Sequence, residues 1–140
     1  MIRSFIFIAA VIAATAISGC GAQGKQADST TIEMPEARNE LRAGSICTVE
    51  DGDGKFGVVK VLVINDNEAH VKIYKNKYDS RPAKVDLSTL SLGNINDPDG
   101  FGIGHVPLER AGFDKWNPVE IAFEKVSDDE LEGYNMWKNQ

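Results

Sequence analysis

The sequence predicts a mainly β domain that ends in a short α-helix. Runs of β-branched residues recur between residues 45 and 75, and turns rich in Gly, Asp and Asn separate them. A further alternating run spans Val119 to Val126, and a helix-capping pattern follows it at Ser127 to Glu130. With 140 residues, the chain has room for one folded domain.

The first three strands are predicted from apolar runs and their spacing. Ser45 to Val49 and Phe56 to Ile64 are β-branched runs joined by an acidic, glycine-containing turn, which indicates a hairpin. In the third run, Ala69 to about Lys75, aliphatic residues alternate with polar ones such as His70. This alternation predicts that the polar side of the third strand faces solvent.

The middle of the chain gives weaker patterns. A fourth short strand is expected at Lys84 to Leu87. The glycine-rich segment from Gly93 to Gly104 is predicted to be an ordered loop that buries Phe101 and Ile103 on one side.

The last element is predicted to be a helix. Ser127 and Glu130 are spaced for a capping box, in which each side chain satisfies a backbone N–H of the other residue. Leu131, Tyr134 and Trp137 recur at helical spacing after it. We therefore expect this stripe to pack against the sheet.

A family resemblance covers the first half of the domain. The long run from Lys55 to Ile64 is followed by an Asn/Asp turn, by Val71 to Tyr74 and by Val85 to Leu87. With the short strand before it, this order resembles a Tudor-like or, more broadly, SH3-like barrel over residues 44–93. The resemblance implies a small barrel, which here carries an additional C-terminal strand and a short C-terminal α-helix. Tudor third strands often end in Asp-Tyr-Gly-Asn, whereas this chain has Lys75 to Tyr78 there, so it implies the fold and not the methyl-lysine ligand.

The N-terminus has the pattern of an export signal. Arg3 precedes an apolar run from Phe5 to Ile17, which is shorter than the roughly 20 residues that a membrane-spanning helix needs. The run ends in Ile17-Ser18-Gly19-Cys20, which resembles the lipobox of bacterial lipoproteins. The resemblance implies that residues 1–19 are a signal peptide and that Cys20 carries a diacylglycerol and usually a third fatty acyl chain, for example palmitate. The alternative is an uncleaved N-terminal anchor helix.

Lipidation divides the chain into three parts and implies a location. Residues 20–40 are the lipidated cysteine and a flexible tether, and residues 41–140 form one β-rich domain. Two or three acyl chains on Cys20 anchor a protein stably to a lipid bilayer. Because Gly21 replaces the Asp that commonly retains lipoproteins in the inner membrane, the resemblance implies the periplasmic face of the outer membrane in a Gram-negative cell envelope.

Patterns for metal and catalytic chemistry are weak. With Cys20 acylated, Cys47 has no disulfide partner and is expected in the core. Cys47, His70 and His105 are too scattered for a zinc motif, and no nucleotide loop or catalytic triad is recognisable. Asp97 and Asp99 do not fit an EF-hand, although a loose calcium site there stays open. The sequence therefore predicts no metal, no cofactor and no enzymatic activity.

The surface charge suggests the kind of partner. The formal net charge of -6 argues against nucleic acid as a ligand. Within this acidic chain, one stretch is basic and tyrosine-bearing, which suits an anionic partner. The alternative interpretation is a strand edge protected by lysines against pairing with other edges. The predicted partner-binding residues are Lys72, Tyr74, Lys75, Lys77, Tyr78 and Arg81.

These features favour a membrane-anchored envelope lipoprotein that acts as a non-catalytic binding or scaffold module for a protein or cell-wall partner. An inhibitor or immunity-type lipoprotein, which occludes an enzyme reaching the envelope, is the alternative, and a small hydrolase is a third hypothesis. The sequence leaves the oligomeric state open.

Overall fold

The computed structural model describes residues 40–140, so the predicted lipobox, Cys20 and all but the last residue of the predicted tether lie outside the described residues. Within that range, the chain forms five strands, two short α-helices and two 3-10 turns. The strands are β1 (Ser45–Glu50), β2 (Phe56–Ile64), β3 (Glu68–Tyr78), β4 (Ile103–Glu109) and β5 (Val119–Phe123). The helices are α1 (Arg110–Asp114) and α2 (Glu132–Lys138), and the 3-10 turns are Leu87–Thr89 and Asp129–Leu131. None of the helices in residues 40–140 is long and apolar enough to cross a membrane.

All five strands belong to one antiparallel sheet, which confirms the mainly β class. Their order across the sheet is β4-β3-β2-β1-β5, so the first strand lies between the second and the last. β4 and β5 each have a single neighbour, so the sheet of residues 40–140 does not close into the small barrel that the SH3-like resemblance implied. The predicted hairpin is confirmed, because Glu50 of β1 pairs with Phe56 of β2.

The prediction of a fourth strand at Lys84 to Leu87 is wrong. The Asp86 side chain accepts a hydrogen bond from the Ser88 N–H at 2.9 Å and caps the 3-10 turn that starts at Leu87. Such local side-chain bonding competes with strand pairing. The fourth strand instead begins at Ile103, inside the segment predicted to be a loop.

The entry to β4 depends on a close approach of two backbone segments. Gly102 donates its N–H to Leu92 O at 2.7 Å, and a β-carbon on Gly102 would lie 2.2 Å from Ile73 O. Only glycine fits there. The neighbouring side chains Phe101 and Ile103 are exposed, so the prediction that they are buried is wrong.

The two faces of the sheet bury separate apolar clusters. One cluster contains Cys47, Val59, Val61 and Val71, and Phe113 of α1 packs against it with no exposed surface. The second cluster is smaller and lies on the opposite face. It contains Ile46, Val58 and Tyr74, with partly buried side chains from residues 78–90 and from β5 packed against it.

Residues 127–140, termed the C-terminal segment, cover the rest of that second face. The helix predicted there is confirmed, although it starts as the 3-10 turn Asp129–Leu131 and becomes α2 at Glu132. Half of the predicted capping box forms, because Glu130 Oε2 accepts the Ser127 N–H at 3.1 Å. Tyr134 and Trp137 both contact the ring of His70 on β3, as the predicted stripe requires.

Candidate functional site

The basic side chains of the predicted partner-binding set are paired with groups of the same chain. Lys75 Nζ lies 2.9 Å from Asp97 Oδ2 and 3.3 Å from Asp99 Oδ2. Its hydrogen bond holds the pKa of the Asp97 carboxyl below the usual value. Lys77 Nζ lies 2.5 Å from Asp51 Oδ2. Asp97 and Asp99, for which the sequence left a calcium site open, therefore both contact the ammonium group of Lys75.

Arg81 ties the end of β1 to the start of β5. Its Nη1 donates to Thr48 O and to Asn117 O, each at 3.0 Å. Its guanidinium lies 4.8 Å from the centre of the Phe56 ring, within range of a cation–π interaction. Tyr78 is half-buried and packs against the smaller apolar cluster. These contacts stabilise the sheet.

The prediction that the polar side of β3 faces solvent is wrong. His70 has no exposed surface, because Tyr134 and Trp137 of the C-terminal segment lie over it. Tyr74 is 6% exposed, because side chains from residues 78–90 and from β5 pack against its cluster. Burial, with the negative charges of Glu130 and Glu124, raises the pKa of Tyr74 to about 12. Lys72 keeps about a fifth of its side chain exposed and pairs with Glu130. Of the predicted set, Lys72 is thus paired with the chain's own C-terminal segment, and Tyr74 is buried in the smaller apolar cluster.

A buried lysine that is not a member of the predicted partner-binding set lies on this covered face. Lys60 is 1% exposed, and its Nζ donates to Glu124 Oε2 at 2.7 Å and to Glu130 Oε2 at 2.8 Å. A third donor reaches Lys125 O at 3.3 Å. All three ammonium protons have acceptors, as a buried charge requires.

Glu130 bridges two lysines. Its Oε2 accepts from Lys60, and its Oε1 accepts from Lys72 at 2.9 Å. Burial alone would raise the pKa of the Glu130 carboxyl, but the hydrogen bonds from Lys60 and Lys72 outweigh it and lower the pKa to about 2. Because Glu130 belongs to the first turn of the C-terminal segment, this bridge attaches the segment to β2 and β3.

A histidine pair lies beside the bridge. His70 Nδ1 and His105 Nε2 are 3.0 Å apart, and the two rings are nearly parallel, at 5°. Glu68 Oε2 is 3.5 Å from His70 Nε2 on the other side of the ring. Burial, with the nearby His70, lowers the pKa of His105 below the usual value.

Aromatic rings of α2 enclose the histidine pair. Tyr134 lies edge-on to the His70 ring at 4.8 Å, and Trp137 does so at 4.5 Å. The helix approaches so closely that a β-carbon on Gly133 would lie 2.7 Å from the β-carbon of His105. Gly133 therefore permits the docking of α2 onto β4.

The opposite face of the sheet carries an open cleft of about 380 Å³. Its apolar floor includes Val49, Val59, Ile73 and the half-buried Trp116. Gly57 leaves space in this floor, because a β-carbon there would meet Val49 and Lys77 only at 3.6 Å and 3.7 Å. The full set of charged groups on the rim is Glu50, Asp51, Lys77 and Lys115.

Among residues 40–140, one of the two lysines on the rim of the cleft has no acidic partner. Lys77 pairs with Asp51, and Glu50 lies 3.4 Å from the guanidinium of Arg81. Lys115 has no carboxylate within ion-pair distance among residues 40–140. A ligand in this cleft would therefore meet an apolar floor and one unpaired ammonium group.

The described residues have no arrangement of the usual metal ligands. Residues 40–140 contain no group of three or more His, Cys, Asp or Glu side chains placed to hold a metal ion. Cys47 is buried as predicted, and burial, with the charge of Glu120, raises the pKa of its thiol to about 12. Such a thiol is inert as a nucleophile.

A scan against protein-family models and searches of curated proteins and of solved structures each found no match to this chain.

Proposed function

We propose that this chain is a lipid-anchored protein of the bacterial cell envelope whose domain is a non-catalytic binding module. Cys20 holds it to the bilayer, and the cleft on the Trp116 face holds the partner. The lipobox-like sequence Ile17 to Cys20 supports the anchor. The cleft is the observation that carries the binding role.

The chemistry of the cleft suits recognition. Its floor is built from aliphatic side chains and the ring of Trp116, and charges are confined to the rim. An apolar centre with a polar rim is the usual arrangement of binding surfaces, and tryptophan is often an energetic anchor there. The cleft is also held rigidly, because Trp116 packs edge-on to the buried Phe113 at 6.1 Å.

The ligand that fits best is a protein segment with an apolar side chain next to an acidic group. The aliphatic floor offers contact area to Val-, Leu- or aromatic-type side chains and few hydrogen-bonding groups to a sugar. Lys115 has no carboxylate within ion-pair distance in the part of the chain that the structure describes, and its ammonium group favours a ligand carboxylate beside that side chain. This agrees with the anionic partner expected from the sequence, although Lys77 is the one member of the predicted basic set that lines the cleft.

Site-specific photo-crosslinking in intact envelopes tests this proposal. A benzophenone amino acid replaces Asp53, which is exposed and adjacent to the cleft residue Gly52. The matched control carries the same group at Met136, which is 67% exposed on α2. We expect a discrete protein adduct from position 53 and none from position 136.

The identity of the adduct separates the hypotheses. A resident envelope protein supports a scaffold or binding module, and an enzyme that enters the envelope supports the inhibitor alternative. Adducts with cell-wall polymer in place of protein would reject the protein segment as the ligand. Equal adducts at both positions, or none at position 53, would reject the cleft as the binding site.

A further inference from the structure

Two histidines on neighbouring strands share one hydrogen bond beneath the C-terminal helix. With 3.0 Å between His70 Nδ1 and His105 Nε2, one nitrogen donates and the other accepts. One proton therefore lies between His70 Nδ1 and His105 Nε2. Protonation of both rings would place two N–H donors opposite each other in a site where His70 has no access to water.

The surroundings of the pair offer limited compensation for a second positive charge. Glu68 of β3 is the carboxylate that lies 3.5 Å from His70, and Glu130 of the C-terminal segment is already bonded to Lys60 and Lys72. Three ionisable groups lie beside the pair: Glu68 of β3, Glu109 of β4 and Tyr134 of α2. The elements packed on one another here also carry Lys60, Lys72, Glu130 and Lys138, which pair with one another or contact Tyr134.

We propose that the C-terminal segment is an acid-released strap, and that double protonation of His70 and His105 is the trigger that undocks α2 from the sheet. The strap rests on the histidine rings through Tyr134 and Trp137. Charging both rings removes their mutual hydrogen bond and favours their exposure to water. Undocking α2 is the movement that provides this exposure.

The direction of the pH dependence follows from the histidines. The pKa of His105 in the docked state lies below its ordinary value of 6.5, so the undocked state binds more protons in mild acid. Docking is therefore strongest above about pH 6.5 and weakens as the pH falls below it. Glu130 does not contribute in this range, because its pKa is about 2.

Release of the strap changes the charge of the face beneath it. When Glu130 leaves, Lys60 and Lys72 lose the carboxylate that bridges them. Lys60 keeps Glu124, but the face as a whole loses one negative charge and becomes more cationic, and His70 becomes exposed beside Lys72. This second face is distinct from the Trp116 cleft, so the strap adds a regulated surface to the proposed binding module.

Fluorine NMR of the full-length chain in detergent micelles tests the strap. The protein has two tryptophans, Trp137 on the strap and Trp116 on the opposite face, so 5-fluorotryptophan labelling gives a reporter and an internal reference. Between about pH 7.5 and about pH 5, we expect the Trp137 resonance to shift toward the position of an exposed indole. The Trp116 resonance should stay in place.

One variant connects the shift to the histidine pair. His105→Gln keeps a hydrogen-bonding side chain without an ionisable ring, and we expect it to lose at least about half of the Trp137 shift. A Trp137 resonance that stays constant over this range in the native chain would overturn the proposal. So would an unchanged shift in His105→Gln whose Trp116 resonance shows a native fold.

Discussion

Glu130 and Lys60 join the C-terminus of the chain to the interior of its sheet. Glu130 Oε2 lies 2.8 Å from Lys60 Nζ, and the lysine is 1% exposed. A lysine is seldom buried to this extent unless it is paired. The contact explains why a short C-terminal helix stays docked on a polar face, and it makes Glu130 a determinant of stability.

Removal of Glu130 should therefore destabilise the domain. In Glu130→Ala, Lys60 keeps Glu124 but loses one of its two carboxylates, and we expect a cost of about 1.5–3 kcal/mol in the free energy of unfolding. Urea denaturation measures it. Glu132→Ala is the matched control, because Glu132 is exposed on the same segment and its loss should change stability by less than about 0.5 kcal/mol. Equal effects in the two variants would argue against the bridge.

Acid unfolding should depend on the same residue. An unfolded Glu130 takes up a proton near the ordinary pKa of 4.5, whereas in the folded chain its pKa is about 2. Its contribution is thus fully present above about pH 4.5 and is lost as the pH falls toward about 2. Glu130→Gln should flatten the decline of the unfolding free energy in this range. A decline as steep as that of the native chain would show that Glu130 is not the group that titrates.

The sequence predicted the hairpin, the third strand and the helix, because those depend on local patterns. It could not tell that His70 and Tyr74 are buried, since an alternating strand has the same pattern whether water or another part of the chain covers its second face. Glu130 was assigned to helix capping alone, although the structure gives it Lys60 and Lys72 as well. These two contacts join residues that are 70 and 58 positions apart, and no local sequence pattern indicates such a pairing.

The misplaced fourth strand has a similar origin. Val85 and Leu87 flank Asp86 in a strand-like alternation, but the Asp86 side chain bonds the backbone ahead of it and starts a turn. The observed β4 contains one glycine, Gly104, and one proline, Pro107. Both residue types are uncommon in strands, so the segment was predicted to be a loop followed by an irregular stretch. The candidate cleft was missed because its lining comes from three strands and from the segment after α1.

Gly133 offers a test of helix docking in which two effects have opposite sign. Gly133→Ala gains about 1 kcal/mol of helix propensity but places a methyl group 2.7 Å from His105. We expect the clash to dominate, with a net loss of about 1–3 kcal/mol in thermal or urea unfolding. Gly112→Ala in α1 is the control, because its β-carbon meets nothing within 4 Å and it should be neutral or stabilising. A stabilised Gly133→Ala would mean that α2 does not approach β4 this closely.

Thiol labelling tests both the predicted acylation of Cys20 and the burial of Cys47. The chain has two cysteines, Cys20 and Cys47. If Cys20 is acylated and Cys47 is buried with a pKa of about 12, the native protein from envelopes should react with no maleimide, and the denatured protein with one equivalent. Intact mass should show a chain that starts at an acylated Cys20, and Cys20→Ser should remain unlipidated. One rapidly labelled thiol in the native protein would contradict the lipid anchor.

The most direct measurement of the binding role is partner capture by a chain whose cleft is filled. Gly57→Val adds two methyl groups beyond a β-carbon that has ordinary contacts, at 3.6 Å from Val49, so the fold should tolerate it. Gly104→Val on the edge strand β4 is the matched control, since its β-carbon meets only Leu92 at 3.9 Å and lies outside the cleft. With the crosslinker at position 53, we expect Gly57→Val to lower the adduct yield about tenfold, which corresponds to roughly 1.4 kcal/mol, and Gly104→Val to leave it unchanged. An undiminished adduct from a folded Gly57→Val chain would contradict the assignment of the Trp116 cleft as the binding site.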